Sequence, residues 1–293
     1  MNAGGGGGGG RACSRARLLA EGVATLTAAG TPDPAREARL LLRWAAGLDA
    51  AALSARLEEP PGASEAARFA AGLAARATRR PISQITGLRE FWGRAFRVTA
   101  DVLDPRPETE TLIAAALEGP PARRVLDLGL GSGCLLLTLL AEWPEATGLG
   151  VERSPAALAV ARENAARLGL AARAELVEGD WFAGVRGRFD LVVSNPPYVT
   201  EADYVALSPE VRGWEPVAAL IPAEDAGDGL AAYRAIAAGL PDVLAPGGRV
   251  LLEIGPRQAG PVAALLAAAG LAPIAVHRDL DGRERVVEGR YGA

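Results

Sequence analysis

The sequence predicts an α/β fold: a Rossmann-like sheet of seven strands preceded by a small N-terminal helical domain. Three observations carry this. From Arg124 onward, short apolar runs alternate with helical stretches. The first such run, Val125-Leu126-Asp127-Leu128, passes into a helix through a glycine turn, Gly129-Leu130-Gly131-Ser132-Gly133. Before residue 81 the apolar spacing is helical, with no strand between.

Taken in order, residues 1–14 hold the glycine run Gly4–Gly10 and are expected to be a disordered tail. Residues 15–80 form the helical domain. Asp33-Pro34 reads as an N-cap with proline at the first helical position, followed by Ala38, Leu41, Leu42 and Ala45 at helical spacing. Pro60-Pro61-Gly62 separates this helix from one capped by Ser64 and carrying Phe69 and Leu73. Residues 81–107 are a connecting segment in which Phe91, Trp92, Phe96 and Val98 are spaced as in a short hairpin. Arg106-Pro107-Glu108-Thr109-Glu110 opens a helix, either as a plain cap or as part of a site.

The remaining domain, 108–293, supplies the sheet. After the strand at 125–128 come a helix at 134–142, a strand at 148–151 ended by Glu152, and a helix from Pro155 to Leu168 stopped by Gly169. A strand at 175–177 ends in Gly179-Asp180-Trp181. The β-branched run 189–194 ends in Asn195-Pro196-Pro197-Tyr198. A helix at 230–240, the turn Pro246-Gly247-Gly248, a strand at 249–254 and a helix at 258–269 follow. Strands at 273–276 and 283–288 are expected to form an antiparallel edge pair. The uncharged stretch Ala259–Val276 is broken by Gly270 and Pro273, so it reads as helix then strand and not as a membrane span.

Charge and composition exclude several classes. The chain has 293 residues, and all 31 basic residues are arginine. Residues 1–100 carry 14 arginines against 8 acids, a balance of +6, which suits an acidic partner. Residues 101–293 carry 17 against 27, a balance of −10, so no stable nucleic-acid partner is expected there. His277 is the one histidine and reads as a surface residue at a strand end, which argues against a Ser-His-Asp centre and against a His-rich metal site. Cys13 and Cys134 make no disulfide framework, and Glu21 cuts short the apolar run after Arg17 that a signal peptide needs; a cytoplasmic location is the expectation.

The candidate site lies at the strand ends. Asn195 offers a carboxamide oxygen that accepts from an –NH2 group. Pro196 and Pro197 stiffen the chain and donate no N–H, leaving carbonyls free to accept. Tyr198 offers a flat wall for a planar group. The alternative is a proline turn with no role. The glycines at 129, 131 and 133 let backbone approach a ligand at a helix start. Glu152 stands where a carboxylate binds ribose hydroxyls. Asp180 can accept from an adenine amine and Trp181 can pack on its ring. Cys134 occupies the place of the third glycine in the dinucleotide fingerprint, so a nicotinamide dehydrogenase is disfavoured. S-adenosylmethionine fits this spacing, with Gly129, Leu130, Gly131, Ser132, Gly133, Glu152, Asp180, Trp181 and Asn195 as the cofactor-binding set and no metal.

These pieces resemble the release factor glutamine methyltransferase family (HemK/PrmC). The resemblance runs from about Pro81 to the C-terminus and rests on Gly87 with Glu90-Phe91-Trp92-Gly93, Pro105 to Glu110, Leu126-Asp127-Leu128-Gly129, Asp180-Trp181-Phe182, Ser194 to Tyr198, Glu215-Pro216 and Leu252-Glu253-Ile254-Gly255. It implies an S-adenosylmethionine-dependent methyltransferase sheet. It also implies N5 methylation of the Gly-Gly-Gln glutamine in class 1 peptide chain release factors, held by Asn195, Pro196, Pro197 and Tyr198, with Asn195, Pro196 and Tyr198 catalytic. The helical domain would contact the release factor, and no membrane is involved. Two departures stand out: Leu130 where the family usually has threonine, and Glu152 where aspartate is common. Two other readings stay open: an adenine-specific DNA or RNA amine methyltransferase, and a non-catalytic release-factor-binding protein.

Overall fold

The computed structural model describes residues 14–292; the Gly4–Gly10 tail expectation and Cys13 lie outside them. The chain divides into two compact units, the first ending at Thr86 and the second starting at Gly87.

The first unit is helical: α1 (Arg15–Ala28), α2 (Pro34–Ala46), α3 (Ala50–Ala55), α4 (Ala63–Ala77) and α5 (Ile82–Thr86). Helix α2 starts as the sequence predicts, with the Asp33 carboxylate accepting from the Arg36 N–H at 3.2 Å, and ends at Gly47 in the left-handed region. Its buried stripe is Ala38, Leu41, Leu42 and Ala45, packed with Leu26, Leu53, Phe69 and Leu73. Two arginines are buried here against acids, Arg15 on Glu65 at 2.6 Å and Arg76 on Glu37 at 2.8 Å. Two points correct the sequence reading. Ser64 does not cap α4: Gly62 is the N-cap, and its N–H donates to Glu65 at 3.2 Å, so the cap is a side chain three residues on that reaches back. The short α3 was not foreseen; Asp49 caps it by accepting from Ala52 N–H at 2.7 Å.

The second unit opens with a hairpin, β1 (Leu88–Phe91) and β2 (Arg94–Arg97), whose Phe91 and Phe96 rings meet edge-on at 6.1 Å. A single turn of 3-10 helix, Pro107–Thr109, leads into α6 (Glu110–Glu118). Then come β3 (Arg124–Leu128), α7 (Cys134–Glu142), β4 (Thr147–Glu152), α8 (Pro155–Arg167), β5 (Ala174–Glu178) and β6 (Phe189–Ser194). Two short helices, α9 (Glu201–Tyr204) and α10 (Pro209–Trp214), precede α11 (Ala231–Val243), β7 (Leu244–Glu253), α12 (Ala259–Ala268), β8 (Leu271–Arg278) and β9 (Glu284–Tyr291).

The seven strands run in the order β5-β4-β3-β6-β7-β9-β8. The first five are mutually parallel, and β9 and β8 are antiparallel, as expected. Strand β7 begins earlier than the sequence suggests, since Pro246-Gly247-Gly248 lies inside it; the pairing with β6 slips between Phe189 and Leu191 to absorb the turn. Alternation along the strands feeds two cores. Val125, Leu191, Val193 and Leu251 pack with α6 and α7, whereas Leu126, Leu128, Val192, Val250 and Leu252 pack with α11 and α12. Chain order reverses between β3 and β6, which opens a crevice at their carboxyl ends. Among the described residues no helix is long and apolar enough to cross a membrane, and no acid, histidine and cysteine cluster suits a metal.

Candidate active site

That crevice deepens into a cavity of about 690 Å³, lined among others by Gly129, Gly131, Glu152, Asp180, Trp181 and Asn195. The end of β3 and the end of β6 are joined directly: the Ser194 hydroxyl donates to the Leu128 carbonyl at 2.6 Å. Gly129 and Asn195 are the next residues of the two strands, so this bond holds the glycine turn beside the carboxamide.

The glycine turn needs glycine. Gly129, Gly131 and Gly133 sit at φ of 73°, 54° and 81°, where an L side chain is strained. A Cβ on Gly129 or Gly131 would meet no protein atom within 4 Å, so the face they leave bare is open. Glu152 closes one side: its carboxylate accepts from Gly131 N–H at 2.9 Å and from Ser154 N–H at 2.8 Å. Beneath the turn, Asp127 is buried and accepts from Leu136 N–H at 3.2 Å, while its Oδ1 has no hydrogen-bond partner. Burial pushes its carboxyl up to about 8, the Leu136 amide opposes this, and nearby Glu152 adds to it. Burial likewise pushes the Cys134 thiol up to about 12.

The proline corner is tied to the Arg106–Glu110 segment. Asn195 Nδ2 donates to Thr109 Oγ1 at 3.3 Å. Arg106 donates to Glu215 at 2.6 Å, and Trp92 N–H donates to Glu110 at 2.7 Å. Hence these residues do more than cap α6. Glu215 and Glu253 are buried acids, both pushed up to about 7, first by burial. Arg106 opposes the shift at Glu215, and the Thr109 hydroxyl opposes it at Glu253. Each keeps one oxygen, Oε2, without a hydrogen-bond partner.

Residues 17–87 match the PrmC N-terminal domain and 102–208 match the Methyltransferase small domain. A release factor glutamine methyltransferase of Cereibacter sphaeroides is 58% identical over 94% of this chain and 98% of its own length. The chain belongs to the release factor glutamine methyltransferase family. Its relative of that name in Rhodospirillum rubrum is 46% identical over 94% of this chain and 85% of its own. The 16S rRNA N2 G1207 methyltransferase (RsmC) of T. thermophilus, solved in complex with AdoMet and guanosine, aligns with a TM-score of 0.50 at 21% identity, over 70% of this chain and 49% of that one. That likeness is one of fold, and the seven-stranded sheet is a methyltransferase sheet.

Within this family member, the cavity gathers Gly129, Leu130, Gly131, Ser132, Glu152, Asp180, Trp181, Asn195 and Pro197. Gly133, Pro196 and Tyr198 are not among its lining residues. Gly133 forms the N-cap of α7 instead. Pro196 is buried, and its carbonyl takes no hydrogen bond among the described residues. Tyr198 turns its ring against Gly255, where an added Cβ would stand 2.8 Å from its Cδ2, and its own carbonyl accepts from Gln258 at 3.2 Å. Leu130 is only 4% exposed, and its side chain packs over Gly150 of β4. His277 lies near the end of β8 and is half-buried, its Nε2 2.9 Å from a Glu288 oxygen. The sequence reading leaves Glu215 and Glu253 out of the site and leaves the Arg106–Glu110 segment, with Thr109, open between a cap and a part in the site. The only signal for them was the family motifs in which they sit, since their partners are up to 144 residues away in the chain (Thr109 to Glu253).

Proposed function

We propose that this protein methylates the side-chain amide nitrogen of the glutamine in the Gly-Gly-Gln motif of class 1 peptide chain release factors, using S-adenosylmethionine. The observation that carries the proposal is one cavity lined by both the bare glycine turn and Asn195, whose strand ends are joined by the Ser194–Leu128 bond. The relatives' names supply the substrate class.

The residues present fit the cofactor. Gly129 and Gly131 offer a bare backbone cradle, Glu152 an acceptor pair for a diol, and Asp180 and Trp181 an acceptor and an aromatic surface on the same cavity. When bound, the cofactor supplies a methyl group on a positively charged sulfur. The protein supplies position and dipoles. An amide nitrogen is a weak nucleophile because its lone pair is delocalised into the carbonyl. The Asn195 Oδ1 and the Pro196 carbonyl accept its two N–H groups, which fixes the nitrogen and favours positive charge on it. Good orientation of reacting groups can be worth roughly 7–11 kcal/mol. Tyr198, wedged on Gly255, backs the corner from behind. No strong base is required, because an alkylated amide is acidic and releases its proton to water.

The test is mass spectrometry of a release factor incubated with the protein and isotopically labelled S-adenosylmethionine. One labelled methyl on the Gly-Gly-Gln glutamine is expected. Label on an adenine base in added DNA or RNA, with none on the release factor, would overturn the reading.

A further inference from the structure

An asparagine that is to receive a substrate N–H has to present its oxygen, yet oxygen and nitrogen of a carboxamide have the same shape. Something must choose between the two orientations. Thr109 is 2% exposed and lies beside Asn195, with Oγ1 3.3 Å from Nδ2. A hydroxyl has one proton and can point it either way. The Thr109 hydroxyl is also close enough to Glu253, itself 2% exposed, to oppose the upward shift of its carboxyl. In its ionised form Glu253 takes the hydroxyl proton and leaves a lone pair facing Asn195. Only the NH2 side of the carboxamide can then bond to Thr109, so Oδ1 faces the other way. The backbone is already fixed by Ser194 on Leu128 and by two consecutive prolines, which leaves the carboxamide flip as the one free choice.

Resting on the glutamine-methylation reading, we propose that Thr109 is a positioning residue: by accepting from Asn195 Nδ2, with its own proton drawn to Glu253, it holds Asn195 Oδ1 toward the substrate amide. Without it the carboxamide samples both orientations, and half of them oppose an N–H with an N–H.

The chain has three asparagines, Asn2, Asn164 and Asn195. Protein labelled with 15N at asparagine therefore gives three side-chain NH2 signals, and Asn195→Ala assigns one of them. The isosteric Thr109→Val removes the acceptor, and Thr109→Ser restores it. In Thr109→Val the Asn195 NH2 protons should shift and exchange faster with water, while Thr109→Ser stays close to wild type. Methyl transfer to a release factor should fall about 10-fold or more in kcat in Thr109→Val, with cofactor Kd unchanged, and recover in Thr109→Ser. Loss of kcat in both variants alike, or wild-type kcat and an unmoved Asn195 signal in Thr109→Val, overturns the proposal. A wild-type protein that leaves release factor unmethylated, yet shows the Asn195 response to Thr109→Val, would sink the substrate assignment and leave the positioning role standing.

Discussion

Two strand ends meet at the cavity, and they are made of opposite backbone chemistry. After β3 the chain places three glycines at positive φ, which strips the turn of side chains while their N–H groups are tied inward, Gly129 to the Val151 carbonyl, Gly131 to Glu152 and Gly133 to the Leu130 carbonyl. After β6 it places two prolines, which have no N–H at all, and leaves the buried Pro196 carbonyl without a hydrogen-bond partner among the described residues. One end offers open space against backbone, and the other offers acceptors to a group that donates. The difference teaches that this site is shaped by residue types that delete something, a Cβ at one strand end and an N–H at the other.

The comparison breaks most readily at the proline corner. Asn195→Ala should lower methyl transfer by roughly 10²–10³-fold, the scale for losing one well-aimed polar group. Cofactor binding by calorimetry should persist; wild-type turnover in this variant would remove the corner from the chemistry. At the glycine turn the pattern should invert. Glu152→Ala should weaken cofactor binding by about 10-fold or more, since hydrogen bonds to a charged group are worth roughly 1.5–3 kcal/mol. Its kcat at saturating cofactor should change far less. An unchanged Kd would show that Glu152 serves only the turn itself, through Gly131 and Ser154.

A third prediction concerns pH. The Asp127 carboxyl is held up near 8 in the folded protein, above its ordinary value. A raised pKa means that the folded state binds the proton more tightly. The stability tied to it is complete below about pH 4 and is lost as pH rises through about 8. Asp127→Asn keeps an acceptor for the Leu136 N–H and carries no charge. Its unfolding free energy from denaturant titration should fall less than that of wild type between pH 5 and 8, by an amount on the order of a few kcal/mol at the upper end. Parallel curves for the two proteins would mean that the carboxyl titrates normally.

The parallel sheet, its antiparallel edge pair and the glycine turn were legible because each depends on neighbours in the chain: β-branched runs, alternation, and glycine before a helix. Asn195 and Glu152 were legible because strand order in such sheets brings strand ends together. The Ser64 cap was misread because glycine at 62 gives no cap side chain to see, and the acid that does the work lies three residues on. Thr109 and Glu253 stayed hidden for another reason. Thr109 sits between a carboxamide 86 residues away and a carboxylate still farther along the chain, so nothing local marks it. The placement of Tyr198 behind the corner depends equally on Gly255, and an aromatic after two prolines says nothing about which way its ring will turn.

The packing of Leu130 over Gly150 carries a consequence for how this protein can change. A methyl group at position 150 would stand 2.6 Å from Leu130 Cδ1 and 3.0 Å from Leu176 Cδ2. Gly150→Ala alone should therefore cost about 1–3 kcal/mol by overpacking, and Leu130→Thr alone a similar amount by leaving a gap. Together they should cost less than their sum, a double-mutant coupling of about 0.5 kcal/mol or more. The two sites are then a linked pair: a smaller side chain at 130 frees 150 to gain volume, and leucine at 130 holds 150 to glycine.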